Sequence, residues 1–331
     1  MAYTDIDDPS AYFQTALFTG NAGTNAITNT GNSDLQPDWV WFKCRSAAEH
    51  HGLFDSVRGV TKVVYSNLST AQDNLADSLA SFNSDGFTMG ADTGSGGAFN
   101  GNTKTMVAWQ WKETATAGFD IVSYSGNNST NRQISHSLSA KPDMMLVKCR
   151  QAGLWKIYHS SLGATKYLVL SDTAGVVDNN STWNDTEPTS SNFTLGDDGN
   201  VNETGETYIN YLFAEKQGYS KFGSYVGNGN ADGTFVYTGF KPSFVMVKST
   251  GGESNWQMSD NKRNTFNEVN KHLRANSSGA EFTNYPIDFL SNGFKLRATD
   301  TDTNGSGTTY IYAAFAENPF TTSTGVPATA R

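Results

Sequence analysis

Thr105–Glu113 reads TMVAWQWKE, Thr207–Glu215 reads TYINYLFAE and Thr309–Glu317 reads TYIYAAFAE. Both steps, from 105 to 207 and from 207 to 309, are 102 residues. A strand-like block returning at one period is the signature of a repeated unit. Three further blocks recur in the same order. Ala16-Leu17-Phe18-Thr19-Gly20-Asn21 is answered by Val122–Asn127 and Gly223–Asn228, so a Gly-Asn pair falls at 20, 126 and 227. Gln36-Pro37-Asp38-Trp39-Val40-Trp41-Phe42-Lys43 is answered by Lys141–Lys148 and Lys241–Lys248, and Ser84–Met89 by Ser191–Leu195 and Ser291–Leu296.

Short runs of Val, Ile, Tyr, Phe, Trp and Met bounded by Gly, Asn, Asp and Pro read as strands. The expected fold is therefore all-β: three tandem, similar β-sandwich units over 12–114, 115–217 and 218–320, with an N-terminal arm at 1–11 and a loose C-terminal tail at 321–331. The WVWF, MMLV and FVMV runs are apolar on both faces, as in a strand covered on each side. TYINYLFAE alternates more openly. Pro37, Pro142 and Pro242 are placed just ahead of their strands, where a missing N–H removes no ladder bond. Helical periodicity is weak, with Ser69–Ser81 as the one stretch expected to form a short surface helix.

The chain has 331 residues, 37% hydrophobic, 17% charged and 12% aromatic, with a formal net charge of −9. The aromatics supply enough apolar area to exclude a disordered chain. A nucleic-acid partner calls for a basic face, and no Lys/Arg-rich run is present. No apolar run approaches a membrane span and no secretory leader is read at the start, so neither nucleic acid nor membrane insertion is expected. Cys44 and Cys149 occupy one equivalent position and read as buried reduced thiols.

Candidate chemistry is sparse. Asp300-Thr301-Asp302-Thr303-Asn304-Gly305 matches the opening of a calcium loop, with Asp300, Asp302 and Asn304 as candidate ligands. The closing Glu would fall at Ile311, so an acidic hairpin loop is the better reading and Ca2+ the lesser one. Trp183, with Asn184 and Asp185, is the best candidate for an exposed ring stacking on a sugar, although a loop anchor is the stronger reading. No HExxH, GxSxG or P-loop occurs. His159 aligns with Asp55 and Asp260 and reads as a polar loop residue, so no catalytic residue is nominated and no enzyme is expected. Carboxylate pairs for glycoside cleavage would come from Asp7/Asp8, Asp197/Asp198 or Glu203/Glu206.

The stretches FQTALFTGN, QPDWVWFK, LFDSVRGVTK, SDGFTMG and TYIYAAFAENPF resemble a repeated domain of virion structural proteins of marine tailed phages, described as tail-fibre-like or lectin-like. The resemblance implies jelly-roll or lectin-like units in a protein assembled in the host cytoplasm and carried on the virion. Its partners would be other virion proteins of tail or capsid and a host surface glycan or receptor, and homo-oligomers, trimers among them, are expected. A tail-associated module contacting the host is the leading expectation. A capsid decoration or vertex protein and a surface-polysaccharide depolymerase are its rivals.

Overall fold

Strands apolar on both faces need cover on both sides, and the arrangement of sheets supplies it. The computed structural model describes residues 4–329. Among them the fold is all-β and antiparallel, as expected. Three large sheets follow one another along the chain, each on the same nucleus. In the first, Phe13–Thr19 pairs with Thr105–Trp111, which pairs with Trp39–Cys44, which pairs with Gly52–Asp55. The second repeats this with Phe119–Ser125, Thr207–Phe213, Met144–Cys149 and Lys156–His159. The third does so with Ser220–Val226, Thr309–Pro319, Phe240–Ser249 and Gln257–Asp260.

A smaller layer lies outside each nucleus: Asn25–Ile27 with Phe87–Met89 and Leu79–Phe82, then Arg132–Ser135 with Asn192–Leu195. In the third sheet the corresponding strands Phe235–Tyr237, Gly293–Leu296 and Phe282–Leu290 are continuous with the nucleus through Val269–Arg274.

Alternation along each third strand divides the core. Trp39 and Trp41, Met144 and Leu146, and Phe244 and Met246 point into one central cluster shared by all three sheets. Their neighbours Val40 and Phe42, Met145 and Val147, and Val245 and Val247 point into three separate outer clusters. Each sheet thus covers the inner faces of the other two, which is how a strand acquires two buried faces. At the meeting point a void of about 20 Å3 remains, bounded by Trp39, Trp111, Met144, Phe213, Phe244 and Phe315 among others.

Polar contacts close the same three-way arrangement. The residues preceding the fourth strands are His51, Trp155 and Trp256. His51 bonds through Nε2 to the Arg274 carbonyl at 2.9 Å, Trp155 Nε1 donates to the Tyr65 carbonyl at 2.8 Å, and Trp256 Nε1 donates to the Val169 carbonyl at 2.9 Å. The first bond joins sheet one to three, the second two to one, and the third three to two. A backbone ring runs alongside: Gln72 N–H donates to Arg150, Val176 to Thr250 and Glu281 to Arg45.

At the ends of the fourth strands, Asp55 accepts from Tyr211 Oη at 2.7 Å and Asp260 from Trp109 Nε1 at 3.0 Å. The position equivalent to Trp109 and Tyr211 in the third sheet is Ala313, which has no donor. The residue facing it is His159, whose Nε2 lies 3.2 Å from the neighbouring Tyr312 carbonyl. The Asp55/His159/Asp260 variation therefore tracks the side chain opposite. His159 belongs to a buried strand, which corrects the loop assignment.

Other expectations change as well. Thr207–Phe213 is an interior strand of its sheet and is buried on both faces beyond its first residue, so its open alternation does not mark a solvent face. Pro242 lies inside Phe240–Ser249, at a register shift that tolerates its missing N–H. No helix forms over Ser69–Ser81. Asp73–Asn74 is a short strand on Lys62–Val63, and Gln72 is held by the second sheet, so tertiary pairing overrides the local preference. Cys44 and Cys149 are buried and free.

Within the N-terminal arm, Met1–Tyr3 lie outside the described residues. The remainder docks: Ile6 enters the central cluster and Thr4 Oγ1 donates to the Gln217 carbonyl. The tail at 321–331 turns back through a Thr321–Pro327 bridge, and Ser323 bonds to Asp7, while Ala330 and Arg331 lie outside the described residues.

Candidate functional site

The sequence nominated Trp183, Asn184 and Asp185, and these do not form an open platform. Asn179 caps the short helix Asn180–Trp183 by accepting from Ser181 N–H, and this turn carries the indole inward. Trp183 is 1% exposed, its Nε1 donates to the Lys166 carbonyl at 3.1 Å, and its ring meets Tyr158 edge-on. The exposed-tryptophan expectation is corrected, and the loop-anchor reading describes the residue. Asn184 and Asp185 follow in left-handed conformation, Asn184 ending the helix and Asp185 facing solvent. All seven tryptophans are buried, six of them in the central cluster and Trp183 in the outer cluster of the second sheet.

Asp300, Asp302 and Asn304 point to three different sets of partners. Asp300 accepts from Thr303 N–H and Oγ1, and burial raises its pKa against those bonds. Asp302 accepts from Asn255 N–H at 3.1 Å and Gln257 Nε2 at 2.8 Å, with Arg274 3.6 Å away. Asn304 is fully buried. Its Nδ2 donates to the Ala298 and Asn230 carbonyls, both at 2.8 Å, and its Oδ1 accepts from Asn228 N–H at 3.0 Å. Among the described residues no three His, Cys, Asp or Glu side chains group as metal ligands would.

Asn304 belongs instead to a set. Asn100 and Asn202 precede it by 204 and 102 residues, and both are fully buried in the same role. Asn100 Nδ2 donates to the Gly90 and Gly23 carbonyls at 2.6 and 2.8 Å. Asn202 Nδ2 donates to Gly196 and Ser129, while its Oδ1 accepts from Asn127 N–H at 3.1 Å. Each Asn clamps a Gly-Asn turn to the loop before the closing strand. The glycines are required by the close approach: a Cβ at Gly20, Gly126 or Gly227 would lie 2.2, 1.9 or 2.4 Å from a backbone oxygen. Sequence reasoning saw the Gly-Asn pairs and missed the clamps, although the 102-residue spacing of Asn100, Asn202 and Asn304 was available. Replacing Asn202 with Ala strips partners from two carbonyls, an N–H and Arg132. A cost of about 2–4 kcal/mol in denaturant unfolding is expected.

Three of the nominated carboxylates, Asp7, Asp8 and Asp198, serve as local ties. Asp8 caps Pro9–Ala11, and Asp198 caps Gly199–Asn202 while pairing with Lys156 at 3.1 Å. Burial, reinforced by a hydrogen bond with Asp120, raises Glu113 to about 7.

A shallow surface cleft of about 420 Å3 lies over residues 249–253 and 307–309, and two smaller ones open beside the strands. One, of about 250 Å3, lies between Ser10, Thr15 and Asn32 on one wall and Ser243, Asn261 and Lys262 on the other, and the buried Thr15 hydroxyl there has no hydrogen-bond partner. The second, of about 200 Å3, lies between Glu215–Lys221 and Tyr237–Gly239, with Phe320 beside it. Tyr237 and Phe320 are 59% and 39% exposed. The Tyr237 hydroxyl stands over Gly239, which holds a positive φ that an L side chain resists.

A family model described as Domain of unknown function (DUF7483) matches residues 8–319, from the docked arm through the last closing strand. No curated protein and no solved structure matches the chain.

Proposed function

The chain belongs to the DUF7483 family, whose description assigns no function, and we propose that it is a phage virion structural protein, a tail-associated module that contacts the host surface. The observation that supports this reading most is the contrast between an over-determined interior and a varied rim. The central cluster and the inter-sheet rings fix three sheets as one body. Loops and edge strands around that body differ from one sheet to the next, and loops on a rigid scaffold are where binding surfaces form. The division into units over 12–114, 115–217 and 218–320 is part of the proposal, supported by the recurring strand order. Host glycan or receptor and neighbouring virion proteins are the proposed partners, with weak contacts raised by multivalency.

A capsid decoration role is the second reading. The three-way arrangement of sheets favours it, because such a body can seat on a threefold axis with near-equivalent faces. Antibody-gold labelling of intact particles separates the two. Label confined to the tail is expected, label on shell faces transfers the assignment to the capsid, and no label on any particle rejects both.

A further inference from the structure

The three smaller layers offer an internal comparison of what the fold needs on its surface. Ile27, Ile134 and Val236 are the inward residues of the outer edge strands, and each pairs with an inward Phe: Phe87, Phe193 and Phe294. The residues on either side of them point outward and are exposed in all three layers. Before the inward residue stand Ala26, Gln133 and Phe235, and after it Thr28, Ser135 and Tyr237. The fold accepts small or polar side chains at both positions, so the exposed aromatics of the third layer are not framework. Phe235 is 44% exposed and shares its strand face with Tyr237, two residues or about 7 Å along.

Tyr237 ends this row at the 200 Å3 cleft, where Phe320 supplies a second partly exposed ring. The polar wall is electrically balanced. Glu215 and Lys221 pair at 2.7 Å, and both are about one-third exposed. Each keeps unused capacity: the carboxylate has further lone pairs and the ammonium two further N–H donors. Gln217 adds an amide beside them. A hydroxyl is both donor and acceptor, whereas an anionic or cationic ligand would have to compete with the pair already formed.

We infer that the cleft between Tyr237, Phe320 and the Glu215–Lys221 pair is a saccharide subsite, taking a neutral, hydroxyl-rich sugar ring, with Phe235 as platform for the next ring of an extended glycan. Aromatic faces bury the apolar side of a ring while the balanced pair takes its hydroxyls. The inference rests on the host-contact reading and names the ligand class and the place.

The test applies the full chain to an array of bacterial O-antigen and capsular polysaccharides. Three variants accompany it: Phe235→Gln with Tyr237→Ser, Phe320→Ala, and Leu17→Ser as a control. The first takes its residues from the second layer, and the third takes the residue found at Ser123 and Ser224, so these two variants have precedents within this fold. Leu17 is exposed on another sheet. Binding of at least one neutral polysaccharide is expected, weakened tenfold or more by the double variant and by Phe320→Ala and unchanged by Leu17→Ser. Absence of binding to every polysaccharide overturns the subsite. So does binding that survives both the double variant and Phe320→Ala, and that result leaves host contact standing through another surface. Failure of the double variant to enter particles, without any saccharide binding, reassigns the row to a virion-protein contact. Particle labelling is read separately, so loss of the virion reading and loss of the subsite are distinguishable.

Discussion

Excision of residues 115–217 is expected to abolish cooperative folding of the remaining chain. The new joint is not the cause. Thr114 pairs with Phe119 and Lys216 with Ser220, so the deletion splices two equivalent turns. What is lost is cover. Met144, Leu146, Ile209, Tyr211 and Phe213 leave the central cluster, and the inner faces carrying Trp39, Trp111, Phe244 and Phe315 meet water. Uncovering several large aromatic side chains at about 3–5 kcal/mol each exceeds the 5–15 kcal/mol that holds a typical domain. The rings break too: Asp55 loses the Tyr211 hydroxyl, and Trp256 Nε1 loses the Val169 carbonyl. The expected product has no sharp thermal transition, weak near-UV circular dichroism and strong dye binding to exposed apolar surface. A monomer that melts in one transition with native near-UV signal would show that two of the units stand alone.

That expectation rests on a shared core that the sequence does not display, whereas other parts of the fold are legible there. The period, the strand positions and the two-sided burial of WVWF, MMLV and FVMV were legible, because burial on both faces writes itself into the residues directly. Which partner covers each face was not. Trp39 and Val40 are equally apolar, yet one points to the shared cluster and the other to an outer cluster of the first sheet. The difference lies in long-range packing that no local pattern encodes. The same limit explains Trp183: a polar neighbourhood in sequence suggested exposure, while a four-residue helix turned the ring inward. For His159 the signal existed but needed a second position to be decoded, since the loss of an acidic residue there makes sense only beside Ala313 in another sheet. Lys43, Lys148 and Lys248 are a further case. They close the third strands on the inner face and are fully buried. Lys43 donates to the nearby Glu49 carbonyl and, across a sheet boundary, to Ser278, and Lys248 likewise to Ser254 and, across a boundary, to Thr173.

The buried bases set an acid limit on the protein. Burial drives His159 down to about 4 and His272 to about 3, and it holds His51 well below its ordinary value. In His51, Nδ1 accepts from Trp41 Nε1 while Nε2 faces the Arg274 carbonyl, so the neutral ring is fully used and a second proton has no place. These groups bind fewer protons folded than unfolded between about pH 4 and 6.5. Stability therefore falls as pH drops through that window. Each contributes about 1.4 kcal/mol per pH unit once below 6.5. Glu113 acts in the opposite sense, because its raised value of about 7 gives the folded state an extra proton between pH 4.5 and 7. Half-buried and screened by solvent, it offsets at most one of the three, leaving a loss of about 4–6 kcal/mol by pH 5. On the alkaline side, burial lowers Lys43, Lys148 and Lys248 to about 8, so the unfolded state again holds more protons and stability rises from pH 8 towards 10. Above pH 10 the buried tyrosines, Tyr211 and Tyr225 among them, reverse the slope because their pKa values are raised. Urea unfolding across pH 4–11 should thus place the optimum near pH 10, with steep weakening below 6.5. The variant His159→Gln, which keeps a donor for the Tyr312 carbonyl but does not titrate, should lose one proton's worth of the acid slope. Equal stability at pH 5 and pH 7 in the unmodified chain would mean that these imidazoles find room for their second proton.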